Sequence, residues 1–212
     1  MRLLLPVVGL LLASLITAGC DSGRTNPPNA SLRVVHAMPT LGPVTFRRVR
    51  ANATVLDYKS GAGFSFDVDT YRFSLEILAP DGSVAQTIAL EHTLEQGTDY
   101  TLVLRDVGGQ PQARIIERPA RSASPPGTQL ELMHAAPTVG AVDVYLEPQG
   151  FDLATATPWD SVSYDELIEP RLLNAPGNYV FVVTEMGNKA NVLLMTDPLN
   201  LGATQNLFIL LA

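Results

Sequence analysis

Along residues 72–78, RFSLEIL, apolar and polar side chains alternate without a break, so Phe73, Leu75 and Ile77 share one face. A period of two marks a half-buried β-strand. The next five residues, APDGS, contain an Asp-Gly pair that tolerates the positive φ of a tight hairpin turn, and VAQTIALE returns from it. The stretch YTLVLRDVGGQPQARIIE, residues 100–117, has the form strand, Gly-Gly turn, strand. Residues 178–196, NYVFVVTEMGNKANVLLMT, repeat that form with a turn at Gly187 and Asn188. A single stretch, ATPWDSVSYDELI at residues 156–168, suggests a helical turn, with Pro158 near its start. The pattern predicts an all-β protein.

The pattern is also written twice. LRVVHAMPTLGPVTFRR, residues 32–48, returns as LELMHAAPTVGAVDVYL, residues 130–146. A shift of 98 positions lays His36 on His134, Ala37 on Ala135, Pro39 on Pro137, Gly42 on Gly140 and Val44 on Val142. Tyr58 then matches Tyr164, DTYRFSLEI from Asp69 matches GNYVFVVTE from Gly177, and QGTDYTLVL from Gln96 matches LGATQNLFIL from Leu201. Between the copies RPARSASPPGTQ is rich in Pro, Ser and Ala, as linkers are. A first domain over 32–118, a linker over 119–128 and a second domain over 129–212 follow. Each copy has about 85 residues, enough to bury a modest core of its own. Short strands at this spacing favour a small antiparallel β-sandwich in each of the two tandem copies. The copies differ at one place. ARIIERP, the last strand expected in the first, has no counterpart after NLFILLA in the second. The edge so exposed is expected to dock against the first domain or a partner chain.

The start of the chain changes the picture of where the protein works. Arg2 and the apolar run Leu3–Ile16 have the layout of an export signal, too short for a comfortable membrane-spanning helix. LITAGC, residues 15–20, resembles the lipobox of bacterial lipoproteins, with Thr17 where that pattern usually has leucine. The resemblance implies a signal peptide over residues 1–19, lipid on Cys20, and a cell-envelope location on the periplasmic or surface side, with the choice of membrane open. Cys20 is the sole cysteine of the 212 residues, so no disulfide can form within the chain. Residues 20–31 then read as the lipidated cysteine and a Pro-, Ser- and Asn-rich tether. The net charge of −7 argues against nucleic acid as a partner, since phosphate binding needs clustered Lys and Arg. Arg47, Arg48 and Arg50 make the one basic knot, which reads as a solvated strand face.

Apolar run, His, Ala, any residue, Pro, a loop with Gly, then VDVYL: this order resembles domain-of-unknown-function family 4397. That family implies immunoglobulin-like sandwiches, tandem copies and export in bacteria, and brings no established activity. The second copy fits through His134, Ala135, Pro137, Val142, Asp143, Val144 and Tyr145, whereas the first has Thr45, Phe46 and Arg47 where Asp, Val and Tyr belong. His36, Pro39, His134 and Pro137 are expected to be structural. A histidine at a strand end can fix a corner through its ring N–H, and proline removes a ladder donor. The sharper alternative is a ligand site on His134 and Asp143, joined by Tyr145, Trp159 and Tyr164, whose aromatic rings suit sugars or interfaces. Three histidines spread over two domains are too few for a zinc site, and no cofactor is expected. No motif of a nucleophile elbow, zinc protease, phosphate loop or dinucleotide fold occurs. The expectation is a non-enzymatic binding or assembly module, anchored to the membrane through Cys20, with an envelope protein or a glycan as partner. The alternatives are a carbohydrate-active or other hydrolase using Asp160, Asp165, Glu166 or Glu169 of the second copy, and a structural spacer.

Overall fold

A computed structural model describes residues 10–12, 30–48, 53–120, 127–173, 175–203 and 205–212. Cys20, Arg50, most of the expected signal peptide and the tether up to residue 29 lie outside the described residues, as do residues 121–126 of the linker. All regular structure among the described residues is β. The chain divides into two compact units, residues 13–121 and residues 122–212, the second taking in Leu10–Leu12.

The strands are β1 (Leu10–Leu12); then β2 (Ala30–His36), β3 (Val44–Arg48), β4 (Thr54–Leu56), β5 (Gly61–Phe66), β6 (Asp69–Leu78), β7 (Val84–Leu94), β8 (Thr98–Val107) and β9 (Gln110–Pro119) in the first unit. The second unit has β10 (Thr128–His134), β11 (Val142–Pro148), β12 (Asp160–Val162), β13 (Leu167–Leu173), β14 (Gly177–Glu185), β15 (Asn188–Met195), β16 (Leu199–Leu201) and β17 (Asn206–Leu211). In the first unit, sheet β5-β2-β8-β9 faces sheet β4-β3-β6-β7; in the second, β13-β10-β17-β1 faces β12-β11-β14-β15, with β16 also on β14. The two units thus share one strand order. Ala30 and Ser31, read as tether, belong to β2, where they pair with Phe66 and Ser65.

The sandwich follows from the alternation. Phe73, Leu75 and Ile77 are buried and meet Leu32, Val34, Val44, Phe46, Leu102 and Leu104 from both sheets. In the second unit Val142, Val144 and Leu146 face Leu130, Leu132, Phe181, Val183 and Leu211. The hairpins turn where the glycines permit: Gly82, Gly109 and Gly187 all have positive φ. Every strand pair is antiparallel except one in each unit, β2 with β8 and β10 with β17. Period two cannot reveal pairing direction, so that feature was not legible in the sequence. The expected helical turn at residues 156–168 is absent. The N–H of Trp159 bonds to Val144 O at 2.7 Å, which draws the chain into β12 and the sheet ladder.

Phe46 and Phe181 are among the largest fully buried side chains. Truncating either to alanine leaves a cavity at the centre of a sandwich, and each change is expected to lower unfolding free energy by about 3–5 kcal/mol. Urea denaturation followed by far-ultraviolet circular dichroism measures it.

Candidate functional site

The repeated phrase builds the same corner twice. His36 ends β2 and His134 ends β10, and after each the chain leaves one sheet for the other. Both histidines are fully buried. The Nε2 of His36 lies 3.0 Å from Gly42 O, and its Nδ1 accepts the Met38 N–H at 3.3 Å. His134 repeats this at the same distances, with Gly140 O and the Ala136 N–H. An acceptor at Nδ1 requires the neutral tautomer with its proton on Nε2, which therefore donates to the glycine carbonyl. Within the loop, Leu41 N–H reaches Met38 O and Val139 N–H reaches Ala136 O. Pro39 and Pro137 thus occupy the second position of a β-turn, where their fixed φ is wanted. Neither Gly42 nor Gly140 has a positive φ, and a Cβ there would meet nothing. The reversal does not depend on glycine's conformational freedom at these positions; their carbonyls are what the histidines hold.

The second crossover meets the first at the same residue. His36 N–H bonds to Ser60 O, and Lys59 N–H to His36 O at 2.9 Å. In the second unit His134 N–H bonds to Glu166 O, and Asp165 N–H to His134 O at 2.7 Å. Lys59 and Asp165 sit in the left-handed region, with φ of 64° and 67°. Tyr58 and Tyr164 precede them, and each ring meets its histidine edge-on, with centroids 6.1 Å and 6.0 Å apart. Tyr164, expected near a binding surface, thus belongs to the corner. The match of Tyr58 with Tyr164 was legible in the sequence; the backbone geometry behind it was not. The sequence reading also missed a second doubled device. The Tyr71 hydroxyl donates to Asp67 O at 3.1 Å and the Tyr179 hydroxyl to Ala175 O at 3.0 Å, each four residues upstream. Such tyrosine corners brace sandwich edges.

The other residues singled out lie apart from the histidine. Asp143 is buried; its Oδ1 accepts from the Ser161 hydroxyl at 2.5 Å and its Oδ2 from the Gly187 N–H at 2.8 Å. It ties β12 to the β14–β15 turn. Tyr145, two residues further along on the same face of the strand, is fully buried against Val180 and Val182, under Phe151, Leu153 and Ala156. Lys189 Nζ fastens that covering segment through Ala154 O and Ala156 O. The Tyr145 hydroxyl has no hydrogen-bond partner among the described residues. In the first unit the matching position is Arg47, which faces water and pairs with Glu76 at 2.7 Å. The divergence between TFR and DVY therefore follows from an added cover over one sheet face. Trp159 is part-buried, packed on the second core, with the Arg171 guanidinium 5.9 Å from its ring centroid. It lies just before β12, and Arg171 lies on β13, so the pair bridges the two sheets at their edge strands. Asp160 and Glu166 accept backbone N–H groups of Ser161 and Ser163. His92, the remaining histidine, lies 3.2 Å from Glu117 in the first unit. Among the described residues, no three of His, Cys, Asp and Glu converge as a metal site would require.

The sequence profile of one family, described as a domain of unknown function (DUF4397), matches residues 30–145, more than half of the chain. The chain belongs to this family. The matched span covers every described strand of the first unit, β2 to β9, and runs into β11 of the second. No curated protein matches. Among solved structures the chain is similar to the Bacillus anthracis TIE protein, at 13% identity and a TM-score of 0.27 over 86% of this chain. The aligned part spans 33% of that protein.

Burial lowers the pKa of His36 and His134 below 6.5, against smaller upward pulls from Gly42 and Asp57 on the first and from Gly140 and Val139 on the second. As pH falls through 6.5, the unfolded chain binds protons that the folded corners refuse. Stability is therefore complete above that pH and lost as pH drops below it. Thermal unfolding between pH 7.5 and 5 should show this decline, and His36→Gln with His134→Gln should flatten it. A second expected outcome concerns Tyr145. Removing its unpartnered hydroxyl with Tyr145→Phe keeps the packing and raises unfolding free energy by about 1 kcal/mol, read by the same denaturation measurement.

Proposed function

We propose that this protein is a lipoprotein of the bacterial cell envelope, acting as a non-enzymatic binding or assembly module. The observation that carries this reading is the fate of the repeated motif. Its reactive side chains are turned inward: His36 and His134 hold loop carbonyls, and Asp143 holds a hydroxyl and an N–H. A general base or ligand-binding imidazole would need a free nitrogen facing a substrate. What each unit offers to solvent is loops and strand edges on a rigid frame, the usual place for recognition. Trp159 with Arg171 is the best such surface of the second unit, since a part-exposed indole under a guanidinium suits a sugar ring or a protein contact. Anchoring rests on the lipobox-like LITAGC, with acyl chains on Cys20 holding the units at the membrane. A hydrolase would need two of the loop carboxylates to flank a bond. Asp160 and Glu166 instead cap neighbouring N–H groups.

Trp159 is the sole tryptophan of the chain, so its fluorescence reports on this surface alone. Titration of the envelope-purified protein with soluble cell-wall glycan fragments is expected to give a saturable change in emission that Arg171→Ala weakens. A pull-down from detergent-solubilised envelopes, with Cys20→Ser as control, tests the protein-partner form of the same reading. Release of new sugar ends, abolished by Asp160→Asn or Glu166→Gln, would replace it with the hydrolase.

A further inference from the structure

The outer flank of β17 carries a site of its own. In the first unit the equivalent strand, β8, is covered along its length by β9, from Thr98↔Pro119 to Val107↔Gln110. In the second unit that place is held by β1, antiparallel, with Leu10↔Leu211, Leu11↔Leu210 and Leu12↔Ile209. The occupant comes from the apolar run that the reading above assigns to a cleaved signal. Removal of that run uncovers the flank.

The exposed edge would be of an unusual kind. Gln205 O and Leu211 O accept from the β10 side. Alternation then turns the N–H and C=O of Phe208 and Leu210 to the open side. Natural edges are blunted by charges, prolines or bulges. β9, the edge strand of the first unit, has Pro111, Arg114, Glu117, Arg118 and Pro119. Residues 206–212, NLFILLA, have none of these. The strand that fits must be antiparallel, apolar and uncharged. A second copy of β17 meets all three conditions, because a two-fold axis pairs the edge with itself antiparallel and sets no like charges opposite one another. Anchoring of both copies to one membrane raises their effective concentration.

We propose that β17 of the processed protein pairs edge to edge with β17 of a second copy, joining two second units into one continuous sheet. This rests on the lipoprotein reading, and the test separates the two. The full chain, expressed in a bacterium and purified from its envelope, is first weighed by intact-mass spectrometry. Loss of residues 1–19 with acyl mass on Cys20 establishes processing. An uncleaved chain overturns both readings. With Cys20 acylated, an introduced cysteine is the one free thiol. Phe208→Cys, Ile209→Cys and Leu210→Cys are then oxidised in turn. A disulfide-linked dimer is expected at one or more of these positions and none from Val55→Cys, an exposed control on β4. Leu210→Pro deletes an outward N–H without touching the β10 ladder, and should weaken association at least tenfold by sedimentation. Hydrogen exchange at Phe208 and Leu210 in the unsubstituted protein guards against a folding defect: protection should rise with concentration. A processed chain that stays monomeric, gives no crosslink and exchanges these amides at every concentration overturns the proposal. So does a different protein found paired on the flank.

Discussion

Each unit turns on one neutral imidazole. A sandwich requires its chain to pass from sheet to sheet, and each passage takes backbone N–H and C=O groups out of the ladders while they are still buried. At His36 and His134 two passages converge, and one ring serves both functions of the corner: Nδ1 accepts from the N–H two residues on, and Nε2 donates to the loop carbonyl two residues before the next strand. A charged ring has no acceptor and could not do this. Burial, which keeps the ring neutral, is thus part of the device. The small alanine that follows continues the ladder, with Ala37 N–H on Leu104 O and Ala135 N–H on Leu211 O. The peculiar phrase is duplicated because this junction must be built in each sandwich.

Upon that shared frame the two units diverge on their outer faces. The inner faces obey one rule in both, with valines and leucines from the two sheets interleaved. The outer face of β3 and β6 is finished for water, with Arg47 on Glu76, and Arg72 on Glu91 across to β7. The corresponding face of β11 and β14 is apolar, with Tyr145, Val180 and Val182 under the segment that contains Phe151 and Leu153. The extra residues of that segment explain why Tyr58 and Tyr164 stand 106 apart when the motif stands 98 apart. The insertion also delivers Trp159 to the edge of β12. One added loop therefore both required the apolar Tyr145 and created the aromatic surface nearby.

What the sequence made legible was whatever depends on period and repetition. Phe73, Leu75 and Ile77 on one face, the turn at Gly187 and the second domain are all carried by local pattern. What it concealed depends on partners far along the chain. The parallel pairing of β2 with β8 joins residues more than sixty apart, and no local period encodes its direction. Asp143, Tyr145 and Trp159 are near one another in sequence and suggested one site, yet Asp143 and Tyr145 lie on the outer face of β11, whereas Trp159 packs on the inner core. The helical aspect of residues 156–168 likewise gave way to a ladder bond from Trp159 to Val144.

The same contrast bears on function. In a sandwich whose recurring polar residues are spent on corners and clamps, the parts left free to vary are edges and covers. The first unit closes its sheet with a strand carrying charge and proline, a finished boundary. The second closes its sheet with β1 instead, and the processing proposed above would leave β17, uncharged and mostly apolar, as the edge. Such an edge is costly for an isolated domain, because unpaired backbone groups and apolar surface invite indiscriminate pairing. Its persistence beside a blunted counterpart makes physical sense when pairing is what the strand does. The asymmetry between two otherwise matching units is therefore the place where a common frame becomes a particular protein.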